Sequence, residues 1–241
     1  MNKKIHFELL DVARGFAILL MFIYHFSYDL DYYGFIQQQF LLDPFWLNFR
    51  TVIVTLFLTI MGMSLYLASH PGLNKKSFRR RLTLLIIYSA IVSLASWVMF
   101  PSAMIFFGIL HFITIASILG LVFINFGKIN LLLGISLIIL PHVFEHSFFD
   151  QPLLQWLGLM TKVPVTVDYV PLLPWFGVVL IGIYLGQLLS GLPNDSWISR
   201  WQNKHASSKI LAYGGRHSLH IYMLHQPLFL GILYIISQFI R

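Results

Sequence analysis

Polar residues are sparse along this chain, and their spacing marks out its elements. Stretches free of Asp, Glu, Lys and Arg run over 15–28, 51–69, 82–100, 103–126, 129–144, 169–190 and 217–240. An α-helix needs about 20 apolar residues to cross a bilayer core, and most of these stretches approach that length. They predict an all-α fold, a polytopic transmembrane helix bundle of about seven spans. Pro101-Ser102 separates the third span from the fourth, because Pro disfavours continuing a helix through it. The loop "NFGKIN" (125–130) separates the fourth from the fifth, which is short and ends at Pro141-His142. No internal repeat, low-complexity tract or second domain is visible, so residues 1–241 read as one transmembrane domain.

Charge gives the spans a direction. Of the 16 Lys and Arg residues, only Arg50, Lys162 and Arg241 fall on one side of the predicted bundle. The others, from Lys3 and Lys4 through "NKKSFRRR" (74–81) to Lys209 and Arg216, fall on the side of the N-terminus. Cytoplasmic loops are enriched in Lys and Arg, so the N-terminus is expected inside. Asp29, Asp31, Asp43, Glu145, Asp150 and Asp168 then lie outside, and a seventh span carries the C-terminus outside.

Composition agrees with a bilayer as solvent. The chain is 58% hydrophobic and 10% charged, against about a quarter charged in soluble domains. It therefore reads as an integral, multi-pass protein of the cell membrane. No small-residue cleavage site follows the first apolar run, which reads as a retained span. The absence of Cys excludes disulfides, thiolate metal sites and Cys nucleophiles. The net charge of +7 goes with cytoplasmic loops rather than with nucleic acid.

The polar exceptions within the spans are the candidate chemistry. In "LLDVARGFAILLMFIYHFSYDLDYYG" (9–34), Asp11, Arg14, His25 and Asp29 interrupt a segment otherwise suited to lipid. Arg14 and His25 are eleven residues apart, which returns them to nearly one helix face ~16 Å apart along the axis. Asp11 precedes Arg14 by three residues and Asp29 follows His25 by four, both neighbour spacings on a helix. The four make one polar stripe. Charged groups facing lipid are costly, so such a stripe faces the bundle interior or a wet cavity. The functional reading makes His25 a base or relay oriented by Asp29, with Arg14 binding an anion at the cytoplasmic mouth. The structural reading makes Asp11–Arg14 an interfacial pair and His25 a packing residue.

Two further histidines bear on the choice. His111 lies ten residues past Pro101, and His225 nine residues past Arg216. At 1.5 Å per residue both reach roughly the middle of the bilayer, at the level of His25. Three spans thus offer one histidine each. No His-x3-His or carboxylate pattern on one helix supports a metal site, and none is expected. Arg50, Asp168, Tyr169 and Trp175 lie at the outer ends of their spans. They either line a substrate cleft or belong to an interfacial belt. Arg79, Arg80 and Arg81 fit a phosphate clamp as well as a topology signal.

These residues carry a family resemblance. "LDVARGFAILLMFIYHF" resembles the first-span motif of transmembrane acyltransferases, in which an Arg precedes a His by eleven positions. "FLTIMGMSLYLA", "FFGILHFITIASILGL", "VDYVPLLPWFGVVLIGIYLG" and "GRHSLHIYMLHQP" resemble, in order and over nearly the whole chain, the bacterial branch of the heparan-α-glucosaminide N-acetyltransferase catalytic-domain family. The related acyltransferase family 3 shares the Arg–His spacing. The resemblance implies an enzyme that moves an acyl group, usually acetyl, from cytoplasmic acetyl-CoA to an outer acceptor, a glycan or small molecule bearing a hydroxyl or amine. It implies His25 as the catalytic residue and Arg14 as its partner, with His111 and His225 in family-like blocks. The imidazole would act as general base or be acylated itself, with Asp29 holding the imidazolium. Membrane lipid and acyl-CoA are the expected partners, and self-association into a homo-oligomer stays open. A proton-coupled transporter or flippase for a glycan or lipid is the alternative, in which the histidines and acids form a proton relay. An accessory subunit with purely structural polar contacts is a third reading.

Overall fold

The computed structural model describes residues 7–70, 72–193 and 195–240. Lys3, Lys4 and Arg241, used above to orient the chain, lie outside them. Among the described residues the chain is helical, without strands. The helices are α1 (Glu8–Tyr32), α2 (Pro44–Ser69), α3 (Lys75–Met99), α4 (Ile109–Phe123), α5 (Ile129–Val143), α6 (Leu172–Ser190), α7 (Trp197–Arg200), α8 (Ala206–Arg216) and α9 (Ser218–Ile240).

Seven of these coincide with the seven predicted spans. Five, α1, α2, α3, α6 and most of α9, are long and apolar enough to cross a membrane. The apolar helices α4 and α5 have 15 residues each, about 22 Å at the helical rise. The fourth span is therefore shorter than the predicted 103–126. Residues 103–107 instead pair with 167–170, through Val167 N–H to Ala103 C=O (3.0 Å) and Val170 N–H to Phe107 C=O (3.2 Å). In the other direction, α1, α2 and α3 start seven residues before the charge-free stretches do. Asp11 and Arg14 satisfy one another inside α1, and the basic residues of α3 lie on its first two turns, exposed.

Many large apolar side chains face outward, such as Val98, Val122 and Phe239. That is the expected arrangement where the surrounding solvent is hydrocarbon and each helix satisfies its own backbone.

The described residues form two compact units. One spans Met61–Leu192. Its centre is α6, where Val179, Leu180 and Ile183 are fully buried. Gly134 of α5 and Gly177 of α6 bring those two backbones together, for a Cβ on Gly177 would meet the Gly134 carbonyl oxygen. Small residues at helix interfaces permit this approach in membranes, where tight packing drives association.

The other unit contains the described residues of 7–60 and 193–240. Ile18, Met21, Tyr24, Phe40 and Ile53 form its core, with Trp46, Phe49 and Phe57 packed around them. Here α8 lies where the sequence predicts only a cytoplasmic segment, 191–216, between the sixth and seventh spans. It is an amphipathic helix that crosses α1 in backbone contact. A Cβ on Gly15 would meet the Leu211 carbonyl, and one on Gly215 the Asp11 carbonyl. α9 then runs alongside α1 in the same direction, the relation a seven-span reading gives its first and last spans. The contacts climb together: His25 to His225, Asp29 to Gln226, and Tyr33 to Leu230.

Candidate functional site

The α1–α8–α9 unit turns the predicted polar stripe into two clusters. At the start of α1, Asp11 sits between two guanidiniums. Arg14 Nη1 lies 3.5 Å from Asp11 Oδ1 and Arg216 Nη1 lies 3.8 Å from Asp11 Oδ2. Arg14 also donates to the Gly215 carbonyl at 3.3 Å, near the C-terminal end of α8, where cations are favoured. Arg14 is thus built into the α1–α8 contact. Arg216 is the more open of the two, with 49% of its side chain exposed against 22% for Arg14.

About 16 Å further along α1 the second cluster forms. The rings of His25 and His225 stand 4.9 Å apart, edge to face. His225 is buried and walled by Phe22 (5.8 Å), Tyr222 (5.3 Å) and Phe229 (5.8 Å). Its Nδ1 is 2.5 Å from the Tyr222 carbonyl oxygen. A carbonyl only accepts, so Nδ1 carries the hydrogen and Nε2 is left with its lone pair. That Nε2 is buried and has no hydrogen-bond partner.

Asp29 is 1% exposed. Its Oδ1 accepts from Gln226 Nε2 at 2.7 Å. This differs from the expected pairing of Asp29 with His25: the carboxylate is held by the amide of α9. Asp29 Oδ2 and Gln226 Oε1 are buried without partners. Gln226 is the residue that sequence reasoning missed. The signal was present, since a buried Asp in an apolar helix needs a donor, and "HQP" places one beside His225.

The remaining candidates belong to the Met61–Leu192 unit or to α2. His111 closes the first turn of α4: its Nδ1 accepts from Gly108 N–H at 3.3 Å, and its Nε2 lies 3.1 Å from Ser93 Oγ. Asp168 Oδ2 accepts from Ile109 N–H at 2.9 Å, satisfying a donor at the start of the same helix. Tyr169 donates to the Gln155 carbonyl at 2.5 Å, and burial pushes its phenol up from the ordinary value. Trp175 is half-buried on the first turn of α6, and Arg50 is exposed on α2. Arg79, Arg80 and Arg81 are exposed near the start of α3, whose N-cap Asn74 accepts from Ser77 N–H at 3.1 Å. No group of three or more His, Asp or Glu able to hold a metal is found among the described residues.

One loop of this unit is clamped by a carboxylate. Asp150 accepts from Thr161 Oγ1 (2.8 Å), Thr161 N–H (2.7 Å) and Lys162 N–H (3.2 Å). The Thr161 hydroxyl first, then these backbone donors and the Lys162 charge, hold the Asp150 carboxyl below its ordinary 3.8. A depressed carboxyl pKa contributes stability above the unfolded value and loses it as pH falls through the folded one. Protection of the Thr161 and Lys162 amides from hydrogen exchange is therefore expected at neutral pH. It should disappear below pH 3.8, and in Asp150→Ala at every pH.

Residues 6–227 match the family model described as "Heparan-alpha-glucosaminide N-acetyltransferase, catalytic". The chain belongs to this family. No curated relative and no solved structure matches it. The match takes in both polar clusters of α1 and reaches Gln226 and Pro227 on α9. A helical chain of this family, with five helices able to cross a membrane, is a transferase of the membrane-bound N-acetyltransferase type.

Proposed function

We propose that this protein transfers an acetyl group from acetyl-CoA to an acceptor at the His25–His225 pair. The observation that carries the reading is the state of His225. One ring nitrogen is tied to a backbone carbonyl, which fixes the tautomer, and the other offers a buried lone pair beside a second imidazole. Imidazole is suited to take and return a proton near neutral pH. In the step proposed, the pair takes the proton from the acceptor as its nucleophilic atom attacks the thioester carbonyl. The C–S bond breaks, and the departing CoA sulfur receives the proton from the imidazolium.

The donor enters at the Arg14–Asp11–Arg216 end, which faces the cytoplasm in this reading, and the acceptor comes from the opposite side. Asp11 neutralises one of the two guanidiniums, leaving net positive charge for CoA phosphates, with Arg216 the more accessible group. The distance from Arg14 to His25 along α1 suits the extended pantetheine arm, so the thioester reaches the histidines while the nucleotide stays in water. Arg79 and Arg80 at the start of α3 are exposed guanidiniums of the other unit, with a phosphate chemistry of their own. His111 and Asp168 serve to fix the start of α4.

Titration of the purified protein with acetyl-CoA tests this. Arg216→Ala removes a charge-assisted contact and is expected to raise the KM for acetyl-CoA about tenfold or more, with kcat little changed. No binding of acetyl-CoA by folded wild type would refute transfer from CoA and favour a proton-coupled carrier, which needs no CoA site.

A further inference from the structure

Residues 196–217 carry Arg200, Lys204, Lys209 and Arg216 and not one Asp or Glu. Arg216 lies beside Asp11; none of the other three forms an ion pair among the described residues. The segment is held at the first two turns of α1. Asn203 N–H donates to Glu8 Oε2 at 2.8 Å, and the backbones of α8 and α1 touch at Leu211–Gly15 and Gly215–Asp11. His217 alone separates α8 from α9, which is long and apolar enough to cross a membrane. α8 therefore lies where both spans enter the bilayer, on the side that the charge pattern assigns to the cytoplasm. Ser208, Leu211, Ala212 and Gly215 form its inner stripe, at the i, i+3, i+4, i+7 spacing of one helix face. The opposite face carries Ala206, Ile210, Tyr213 and His217, flanked by Lys209. Ile210 is 71% exposed and Tyr213 61%. Water gives no reason to set an aliphatic and an aromatic side chain there; the boundary between headgroups and acyl chains does.

We propose that this outer face of α8 is a docking surface for anionic phospholipid of the cytoplasmic leaflet, whose phosphates are held by Lys204 and Lys209. Ile210 and the ring of Tyr213 sit at the depth that interfacial amphipathic helices occupy. Long Lys side chains lie along such a surface and present their ammoniums to the headgroups. Charge complementarity selects the lipid. A run of cations with no acid among them meets a negative leaflet, where each Lys strengthens binding about fivefold. A soluble phosphate would satisfy the lysines and leave Ile210 and Tyr213 in water, whereas a lipid covers both. The docked lipid presses α8 onto α1 and so keeps Arg216 beside Asp11. It does this whether or not the His25–His225 pair transfers acetyl.

The chain has no cysteine, so Ile210→Cys gives a single site for a bimane fluorophore. The labelled protein is placed in vesicles with phosphatidylglycerol or phosphatidylcholine carrying an acyl-chain nitroxide, and quenching reads which lipid lies at the site. Both lipids are expected to quench, with phosphatidylglycerol favoured about tenfold or more from the two lysines together. Adding Lys204→Gln/Lys209→Gln should bring the two lipids to within about threefold of one another, as should molar salt, which screens charges beyond ~3 Å. Lys75→Gln/Lys76→Gln is the matched control. It removes the same charge from exposed positions at the start of α3 and should leave the preference unchanged. No quenching by either lipid would show a face covered by water or protein, and equal quenching by the two would show that the cations select nothing. Either result overturns the proposal. So does an equal loss of preference in Lys75→Gln/Lys76→Gln, which would assign it to net charge alone.

Discussion

Replacing either His25 or His225 by Ala is expected to lower the rate of acetyl transfer by about 10²–10⁴-fold, the usual range for a proton-transfer residue. The double replacement should be scarcely worse than either single one. Residues that act as a unit are grossly non-additive, because losing one member already forfeits what the unit does. The ring contact of 4.9 Å makes the two imidazoles such a unit. His225 also packs against Phe22 and Phe229, so His225→Gln belongs beside His225→Ala to separate lost packing from lost chemistry. The KM for acetyl-CoA should hardly change in any of them, since the phosphates are held about 16 Å away along α1. Multiplying single-mutant losses in the double mutant would show two independent residues and contradict a paired role.

The second large effect is structural. Gly215→Leu is expected to cost ~3 kcal/mol or more, at the top of the range for overpacking. A Cβ at Gly215 would press on the Asp11 carbonyl oxygen and approach Gly15 N. Both are backbone atoms, so no side-chain rotation relieves the clash, and α8 must leave α1. Arg14 would then lose the Gly215 carbonyl, and Arg216 its place beside Asp11. Thermal unfolding in detergent reads the loss of stability. Gly214→Ala serves as the control, because the nearest contact of its Cβ, Ile221 at 3.9 Å, is ordinary van der Waals distance. If Gly215→Leu melts with the wild type, the close packing of α8 on α1 is wrong.

The polar stripe of α1 was legible before any coordinates, because helix geometry alone places Asp11, Arg14, His25 and Asp29 on one side. So was the level of His225. It lies nine residues beyond Arg216 and His25 eleven beyond Arg14, and the parallel course of α1 and α9 makes those depths meet. Counting charge-free stretches failed at helix starts: charges near helix ends are tolerated where they pair, as Asp11 does, or reach water, as Arg79 and Arg80 do. α8 escaped because its eleven residues are too few and too polar to look like a span. What identifies it is the pair of glycines in "AYGGR" that lets it lie against α1, together with Gly15 opposite. Gln226 escaped for a different reason. Asp29 was matched to the nearest base on its own helix, and the better donor came from another helix about 200 residues later. The histidine counted in the fourth span, His111, shows the limit of depth as evidence. Its ring is used to close a helix start, a role that spacing from Pro101 cannot distinguish from catalysis.

The central claim is that the His25–His225 seam is where an acetyl group changes hands. The most direct measurement is transfer of labelled acetyl from acetyl-CoA to glucosamine by the purified protein, with the sugar product read by mass spectrometry beside the His25→Ala/His225→Ala double variant. The account predicts N-acetylglucosamine in step with CoA release by wild type, and none above background from a double variant that still binds acetyl-CoA. Equal product from the two proteins would place the chemistry elsewhere in the chain.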